Sequence, residues 1–127
     1  MYIKNLTAAD IDFGRVLWQS LHRNRTFRAN GALWFQSESG EWNLLIATPR
    51  VDEIGRRRAY LELAKIANRI LTDSGKLLKV ELISPKLPLY RALRSVFGKT
   101  ASVEGARLGN TQIDGMYIDD AFLYAVG

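Results

Sequence analysis

The chain contains no cysteine and only one histidine, His22, among its 127 residues. The absence of cysteine excludes disulfide bonds, thiolate metal sites and cysteine nucleophiles, and it fits a reducing compartment. Long apolar runs are also absent. The longest covers the six residues 121–126, whereas a membrane-spanning helix needs about 20. Residues 1–7 show no secretory signal pattern. We therefore expect a cytoplasmic protein that makes no contact with a membrane.

Strong compositional bias is absent as well. Hydrophobic residues make up 47% of the chain and charged residues 24%, both close to the averages of globular proteins. The sequence has no internal repeat and no low-complexity linker. A length of 127 residues is enough to bury a core without disulfides or metals. The composition therefore predicts one soluble globular domain that spans residues 1–127.

Positive charge exceeds negative charge. The 18 lysines and arginines against 13 aspartates and glutamates give a formal net charge of +5. A basic protein attracts anionic partners such as nucleic acid, because its summed field raises the rate of encounter. A charge of this size is equally explained by solubility alone. The charge balance permits an anionic partner but does not require one.

Capping signals and hydrophobic periodicity predict the secondary structure. Thr7 and Asp10 predict a helix start, and apolar residues at 3.6-residue spacing extend this helix over Ala8–Arg23. Two strands at 32–38 and 42–48 flank Ser39 and Gly40, which predict a hairpin turn. A long helix at 51–72, a strand at 77–83 and a third helix that begins at Pro88 follow. Two or three short strands at 101–126, one turn of which lies at 114–115, complete the order.

This order predicts an α+β fold. A mixed sheet of four to five strands packs with about three helices, in the order α-β-β-α-β-α-β-β with one further strand possible at the end. A three-layer α/β arrangement is the alternative. The continuously apolar residues 44–47 predict a strand that is covered on both faces.

Acidic residues concentrate near the end of the chain. Asp114, Asp119 and Asp120 offer the oxygen ligands that magnesium and calcium prefer, and a metal-dependent hydrolase would need such a cluster. However, Asp114 precedes Gly115, which is the residue pair that a type I′ turn favours. Motifs for serine nucleophiles and phosphate-binding loops are absent, and the lone His22 suits a helix carboxyl end. The sequence therefore favours a non-enzyme that has no cofactor.

Two basic segments are candidates for nucleic-acid binding. The first follows the start of the predicted second helix, where Arg58, Lys65 and Arg69 share a stripe. The second, at 23–28, interleaves three arginines with Phe27, a pattern that occurs in proteins that bind single strands. Both segments are also explained as ordinary solvated surface. The residues of the first segment are Arg56, Arg57, Arg58, Lys65 and Arg69.

The tryptophans of the predicted hairpin raise the possibility of an interface. Trp34 and Trp42 are expected near one another, and aromatic residues on strands usually pack in the core. If three helices leave one face of the sheet uncovered, the two tryptophans would instead form an aromatic patch of the kind that occurs at protein interfaces. This alternative predicts a twofold homodimer through Trp34 and Trp42.

Five segments together resemble a family of short bacterial proteins of unknown function. They read GEWNL at 40–44, ATPRVDE at 47–53, SPKLPL at 84–89, RALR at 91–94 and DGMYIDDA at 114–121. The resemblance extends over about two thirds of the chain and implies a bacterial source. It implies no activity, ligand or site residue.

The sequence alone thus predicts a non-enzymatic protein-interaction module that self-associates. Binding of nucleic acid through a basic helix face is the alternative function. A metal-dependent hydrolase is a more distant alternative. No substrate or particular partner follows from the residues.

Overall fold

The structure, a computed structural model, describes residues 5–70, 79–98 and 105–127. This part of the chain contains four helices and five strands. In chain order they are α1 (Ala8–Arg23), β1 (Gly31–Gln36), β2 (Trp42–Ala47), α2 (Arg50–Ile54), α3 (Arg56–Ala67), β3 (Val80–Ile83), α4 (Pro88–Phe97), β4 (Ala106–Ile113) and β5 (Met116–Val126).

The five strands form one mixed sheet in the order β3-β2-β1-β5-β4. Strands β2 and β3 are parallel, and the other neighbours are antiparallel. Gly31 at the start of β1 pairs with Ala47 at the end of β2 and with Val126 at the end of β5. Ala47 also pairs with Ile83, where β3 ends. The loops that adjoin these four residues therefore meet at one end of the sheet.

Helices cover both faces of this sheet. Helices α1 and α3 pack on the face that carries Trp34, Leu44 and Ile46, and α4 packs on the opposite face against Leu33 and Leu45. The α+β class and the order of the elements are confirmed. The layers number three, with the sheet in the middle. Within the described residues, no helix has the length and apolar character that a membrane span requires.

Helix α1 has the predicted bounds because its cap forms as expected. The Thr7 hydroxyl accepts a hydrogen bond from the backbone N–H of Asp10 at 3.1 Å, and the Asp10 carboxylate accepts one from the N–H of Thr7 at 3.1 Å. This reciprocal capping box satisfies N–H groups that a helix start otherwise leaves unpaired. One residue of the predicted core stripe, Val16, is 46% exposed instead, whereas Gly14 is buried.

The predicted helix at 51–72 is wrong in one respect, because the chain forms two helices there. Gly55 has φ +88, a left-handed conformation that ends α2 and precedes α3. Glycine adopts this conformation without the steric cost that a Cβ imposes. Helix α3 ends at Ala67, and the predicted continuation at 71–72 lies outside the described residues.

The hairpin turn at 114–115 is confirmed. Asp114 and Gly115 have φ values of 49 and 78, as a type I′ turn requires at both central positions. Ile113 and Met116 pair directly on either side of the turn. The two strands that it joins, β4 and β5, complete the sheet.

A buried hydrogen-bond chain fixes α1 to the sheet. The Trp34 indole N–H donates to the Tyr124 hydroxyl at 3.0 Å, and this hydroxyl donates to the carbonyl of Ile11 at 2.6 Å. Gly14 lies at the crossing, where a Cβ would collide with the Tyr124 hydroxyl and approach Trp34 Nε1 to 2.8 Å. The absence of a side chain at Gly14 thus permits the close approach of α1 to the sheet.

Replacing Gly14 by alanine is therefore expected to destabilise the fold. The added methyl group must push α1 away from Tyr124 and Trp34, and overpacking of this kind costs about 1–3 kcal/mol. Gly109→Ala is the matched control, because a Cβ there meets nothing closer than 3.9 Å. Urea denaturation measures both variants. If Gly14→Ala and Gly109→Ala had the same free energy of unfolding, the close packing of α1 against Tyr124 and Trp34 would be contradicted.

Candidate anion-binding surface

The loops that meet at the end of the sheet carry a concentration of positive charge. One loop joins α1 to β1, a second follows β2 at Thr48 and Pro49, and a third joins β3 to α4. Six exposed cations lie on these loops and on helices α1 and α4. We call them the basic end: Arg23, Arg25, Arg28, Lys86, Arg91 and Arg94.

Three of these cations line a groove of about 500 Å³. Arg23 comes from the last turn of α1, and Arg25 and Arg28 come from the loop that follows. The lining also includes the amides Asn24 and Asn30. Among the described residues no carboxylate side chain lines this groove. The groove is thus positively charged, and the side-chain NH2 groups of two asparagines lie on its wall.

The other three cations line a second groove of about 400 Å³. Lys86 lies in the loop before α4, and Arg91 and Arg94 lie on α4 itself. Asn30 and Pro49 line both grooves, so the two adjoin. Because the grooves share a wall, their six cations form one continuous surface.

A third, smaller groove of about 170 Å³ extends this surface along α3. Lys65 and Arg69, two residues of the predicted stripe, line it. It shares Asn24 with the first groove. The structure therefore brings these two predicted residues next to the basic end.

The loop that carries Arg25 and Arg28 is held in place by its own hydrogen bonds. The side-chain oxygen of Asn24 accepts from the backbone N–H groups of Thr26 and Phe27, at 3.1 and 2.9 Å. Phe27 is fully buried, and its carbonyl accepts from the hydroxyl of the buried Thr48 at 2.6 Å. The aromatic ring that the sequence places among the arginines is thus an anchor in the core and not a stacking platform.

His22 stabilises the same loop. Its Nδ1 lies 3.0 Å from the carbonyl oxygen of Ala29, and its ring stacks on Trp18 at 4.7 Å between centroids. The sequence predicts that His22 caps the carboxyl end of α1. Its side chain instead forms a hydrogen bond with the loop that follows the helix. The contact ties the last turn of α1 to the end of the loop.

A chain of ion pairs connects Arg28 to the helices behind it. Arg28 Nη2 donates to both oxygens of Glu53, at 2.6 Å to Oε1 and closer still to Oε2. Arg50 Nη1 lies 3.5 Å from Glu53, and Arg50 Nε donates to both oxygens of Glu62 at 2.7 and 3.0 Å. Hydrogen bonding from Arg28 lowers the pKa of Glu53, so this carboxylate stays ionised at neutral pH.

The remaining cations of the basic end are free of such partners within the described residues. The side chains of Arg23, Arg25, Lys86, Arg91 and Arg94 form no hydrogen bond or ion pair there. Unpaired surface cations repel one another, and a bound anion would relieve that repulsion. The electrostatics therefore favour an anionic ligand at this surface.

Two further contacts hold α4 and the loop before it, which carry the cations of the second groove. Asp52, the one carboxylate on its wall among the described residues, accepts a hydrogen bond from the Ser84 hydroxyl at 2.6 Å. Tyr90, on the buried side of α4, donates its hydroxyl to the Gly127 oxygen at 2.8 Å. Burial raises the pKa of Tyr90 to about 12, so its hydroxyl remains a donor at neutral pH. Both contacts join α4 and its preceding loop to the rest of the fold.

The other predicted nucleic-acid residues lie away from the grooves. Arg56 Nη1 donates to the carbonyl oxygen of Leu82 at 2.9 Å and so ties α3 to β3. Arg57 and Arg58 are exposed on α3, and neither lines the grooves described above. Of the three consecutive arginines, Arg56 therefore forms a structural contact, and Arg57 and Arg58 face solvent.

The predicted interface through Trp34 and Trp42 is wrong. Their exposed fractions are 0% and 2%, because helices cover the face of the sheet that carries them. Arg107 covers Trp42 as well, with its guanidinium carbon 5.3 Å from the centre of the ring. The premise of an uncovered face also fails, since buried clusters occupy both faces. A homodimer remains a prediction, but it needs a different surface.

The three aspartates do not form a metal site. Asp114 occupies the exposed hairpin turn, and Asp119 and Asp120 are consecutive on β5, so their side chains point to opposite faces. Asp120 accepts from Arg107 Nε and Nη2 at 2.6 and 2.7 Å. Across residues 5–70, 79–98 and 105–127, no three acidic or histidine side chains are close enough to hold a metal ion. The hydrolase hypothesis thus loses the cluster on which it depended.

Sequence reasoning missed the contribution of Lys86, Arg91 and Arg94. The signal was present, because Arg91 and Arg94 are three residues apart and so share a face of a helix. Their relation to Arg23, Arg25 and Arg28 depends on the pairing of β2 with β3, which the sequence does not display. The basic end is therefore a property of the fold.

Comparisons of the chain with protein-family models, with curated proteins and with solved structures found no match. The resemblance to short bacterial proteins gains no support from them. Any assignment of function therefore depends on the surface itself.

Proposed function

We propose that the chain binds single-stranded nucleic acid along the basic end. The observation that carries the proposal is the pair of adjoining grooves, whose walls hold six exposed cations and, among the side chains of the described residues, a single carboxylate. Phosphates bind to clustered Lys and Arg because each contact releases condensed counterions. Two grooves in tandem suit a ligand whose negative charge repeats along its length.

The dimensions favour a single strand over a duplex. Volumes of about 500 and 400 Å³ are those of pockets for small molecules, which span roughly 300–1,000 Å³. A nucleotide fits into such a groove, and a single strand can place its unpaired bases there, which the paired bases of a duplex cannot do. Asn24 and Asn30 supply amide groups on the wall that can hydrogen-bond to exposed base edges.

The backbone hydrogen bonds of the loop between α1 and β1 also support binding. Asn30 donates its backbone N–H to the Ala47 carbonyl at 2.7 Å, and Arg28 donates its own to the Asn24 carbonyl at 2.9 Å. Because these bonds fix the loop before any ligand arrives, little conformational entropy is lost on binding. The loop backbone that carries these arginines is therefore already ordered before the ligand binds.

The test is direct binding of fluorescently labelled oligonucleotides at low ionic strength. Single-stranded RNA and single-stranded DNA are expected to raise the anisotropy of the label on titration with protein, and duplex DNA of equal length is expected to bind more weakly. Binding should weaken steeply with added salt, since phosphate contacts release counterions. Failure of all three ligands to bind at low salt would refute the proposal.

Self-association is a second candidate, and strand β4 favours it. Strand β4 is eight residues long and lies at the edge of the sheet, paired only with β5 among the described strands. After Arg107 its residues carry no charge, and charged residues are what usually protect an edge from pairing with another chain. A homodimer through β4 would extend the sheet across two chains.

Sedimentation at micromolar concentration tests this candidate. The wild type is expected to sediment as a dimer, and Thr111→Lys with Gln112→Lys should yield a monomer, because the added charges oppose edge pairing. A wild type that remains monomeric throughout the concentration range would exclude the dimer.

A further inference from the structure

We infer that Glu53 is a positioning residue that holds the guanidinium of Arg28 in place for a phosphate. The inference rests on the proposed binding of nucleic acid at the basic end. Glu53 is an acidic residue next to a basic surface, so electrostatics alone would make it unfavourable for an anionic ligand. Its geometry supports the opposite role.

The contact with Glu53 uses only one end of the Arg28 side chain. Nη2 donates to both carboxylate oxygens, whereas Nε and Nη1 have no partner among the described residues. Arg28 lines the first groove, and its side chain is 51% exposed. The guanidinium is therefore oriented by Glu53 while donors remain for a phosphate, which arginine commonly binds through two parallel hydrogen bonds.

Glu53 is itself held in place by a second ion pair on α2. Arg50 contacts it at 3.5 Å and is fixed by two hydrogen bonds to Glu62, so the chain of ion pairs runs from α3 through α2 to the loop. A side chain that is oriented before binding loses less entropy when the ligand arrives. Arg28 differs in this respect from the other five cations of the basic end, whose side chains are unpaired among the described residues.

The backbone of Arg28 is also unusual. Its φ is +52, in the left-handed region that residues with a Cβ seldom adopt. Such conformations persist where surrounding contacts enforce them, and they concentrate at binding sites. In this conformation the Arg28 N–H donates to the Asn24 carbonyl while the guanidinium pairs with Glu53.

A purely electrostatic role and a positioning role of Glu53 predict opposite effects of Glu53→Gln on the affinity for nucleic acid. If Glu53 acts only through its charge, its removal should raise the affinity for single-stranded RNA. If it positions Arg28, the affinity should fall by roughly 3–10-fold, the equivalent of a weakened charge-assisted contact. The salt slope should also decrease by about 0.7, the value of one lost phosphate contact on a single strand. Glu41→Gln, an exposed acid beyond the grooves, is the matched control.

A double-mutant cycle with Arg28→Ala completes the test. Because Glu53 is inferred to act through Arg28, Glu53→Gln should cause no further loss of affinity once Arg28 is alanine. Circular dichroism verifies that each variant is folded. A rise in affinity for Glu53→Gln, or an equal loss in both backgrounds, would overturn the positioning role while leaving the proposed function intact. Absence of binding by the wild type would instead refute the proposed function.

Discussion

Reversing the charge of Arg23 and Arg25 is expected to reduce the affinity for single-stranded RNA on the order of 100-fold. Each arginine offers a charge-assisted hydrogen bond of about 1.5 kcal/mol to a phosphate, and the loss of two such bonds amounts to about 3 kcal/mol. Arg91→Glu with Arg94→Glu should have a comparable effect, because both grooves are inferred to hold the same strand. Anisotropy titrations at fixed salt measure these losses.

Arg57→Glu with Arg58→Glu is the control for this experiment. It changes the net charge by the same four units, but neither residue lines the grooves. Only a general loss of electrostatic attraction, of a few fold, is expected. If this control weakened binding as much as the variants at the basic end do, the stripe on α3 that the sequence suggests would be the better candidate.

Replacing Trp34 by glutamate is expected to unfold the chain. Trp34 is fully buried and donates to Tyr124, so a carboxylate in its place would be charged and unpaired in an apolar core. Loss of a buried aromatic side chain alone costs about 3–5 kcal/mol, and the unpaired charge adds several more. The total loss is comparable to the free energy of unfolding of a typical domain, which is about 5–15 kcal/mol.

Tyr117→Glu is the matched control, because Tyr117 is also an aromatic residue on a strand but is 53% exposed. This variant is expected to remain folded, with a loss of about 1 kcal/mol from its hydrogen bond to Asn110. Circular dichroism and thermal denaturation distinguish the two variants. A folded Trp34→Glu would mean that Trp34 is exposed, as the interface hypothesis requires.

Local signals predicted the elements whose ends are fixed by local chemistry. The capping pair Thr7 and Asp10 gave the start of α1, Pro88 gave the start of α4, and the pair at 114–115 gave the hairpin turn. The break at Gly55 was missed because Asp52 and Glu53 indicated a helix start and the apolar stripe that begins at Tyr60 was assigned to the same helix. One glycine in a periodic segment is compatible with a continuous helix until its φ is known.

The candidate surface was less predictable, because residues far apart in the sequence meet there. Two helices and three strands of the described chain separate Arg28 from Lys86. The pairing of β1 with β2 and the parallel pairing of β2 with β3 bring their loops together. Alternation along β1 showed that Leu33 and Trp34 face opposite sides of the sheet. It did not show that α1 and α4 would cover both sides.

Chemical-shift mapping with a short single-stranded RNA tests the central claim most directly. On titration of the ¹⁵N-labelled protein, the amide signals expected to shift are those of residues 23–31 and 84–94, which contribute the walls of the two grooves. Signals of Arg57, Arg58 and strand β4 should remain in place. Shifts confined to α3 or to β4, or no shifts at low salt, would contradict the proposal that the basic end binds nucleic acid.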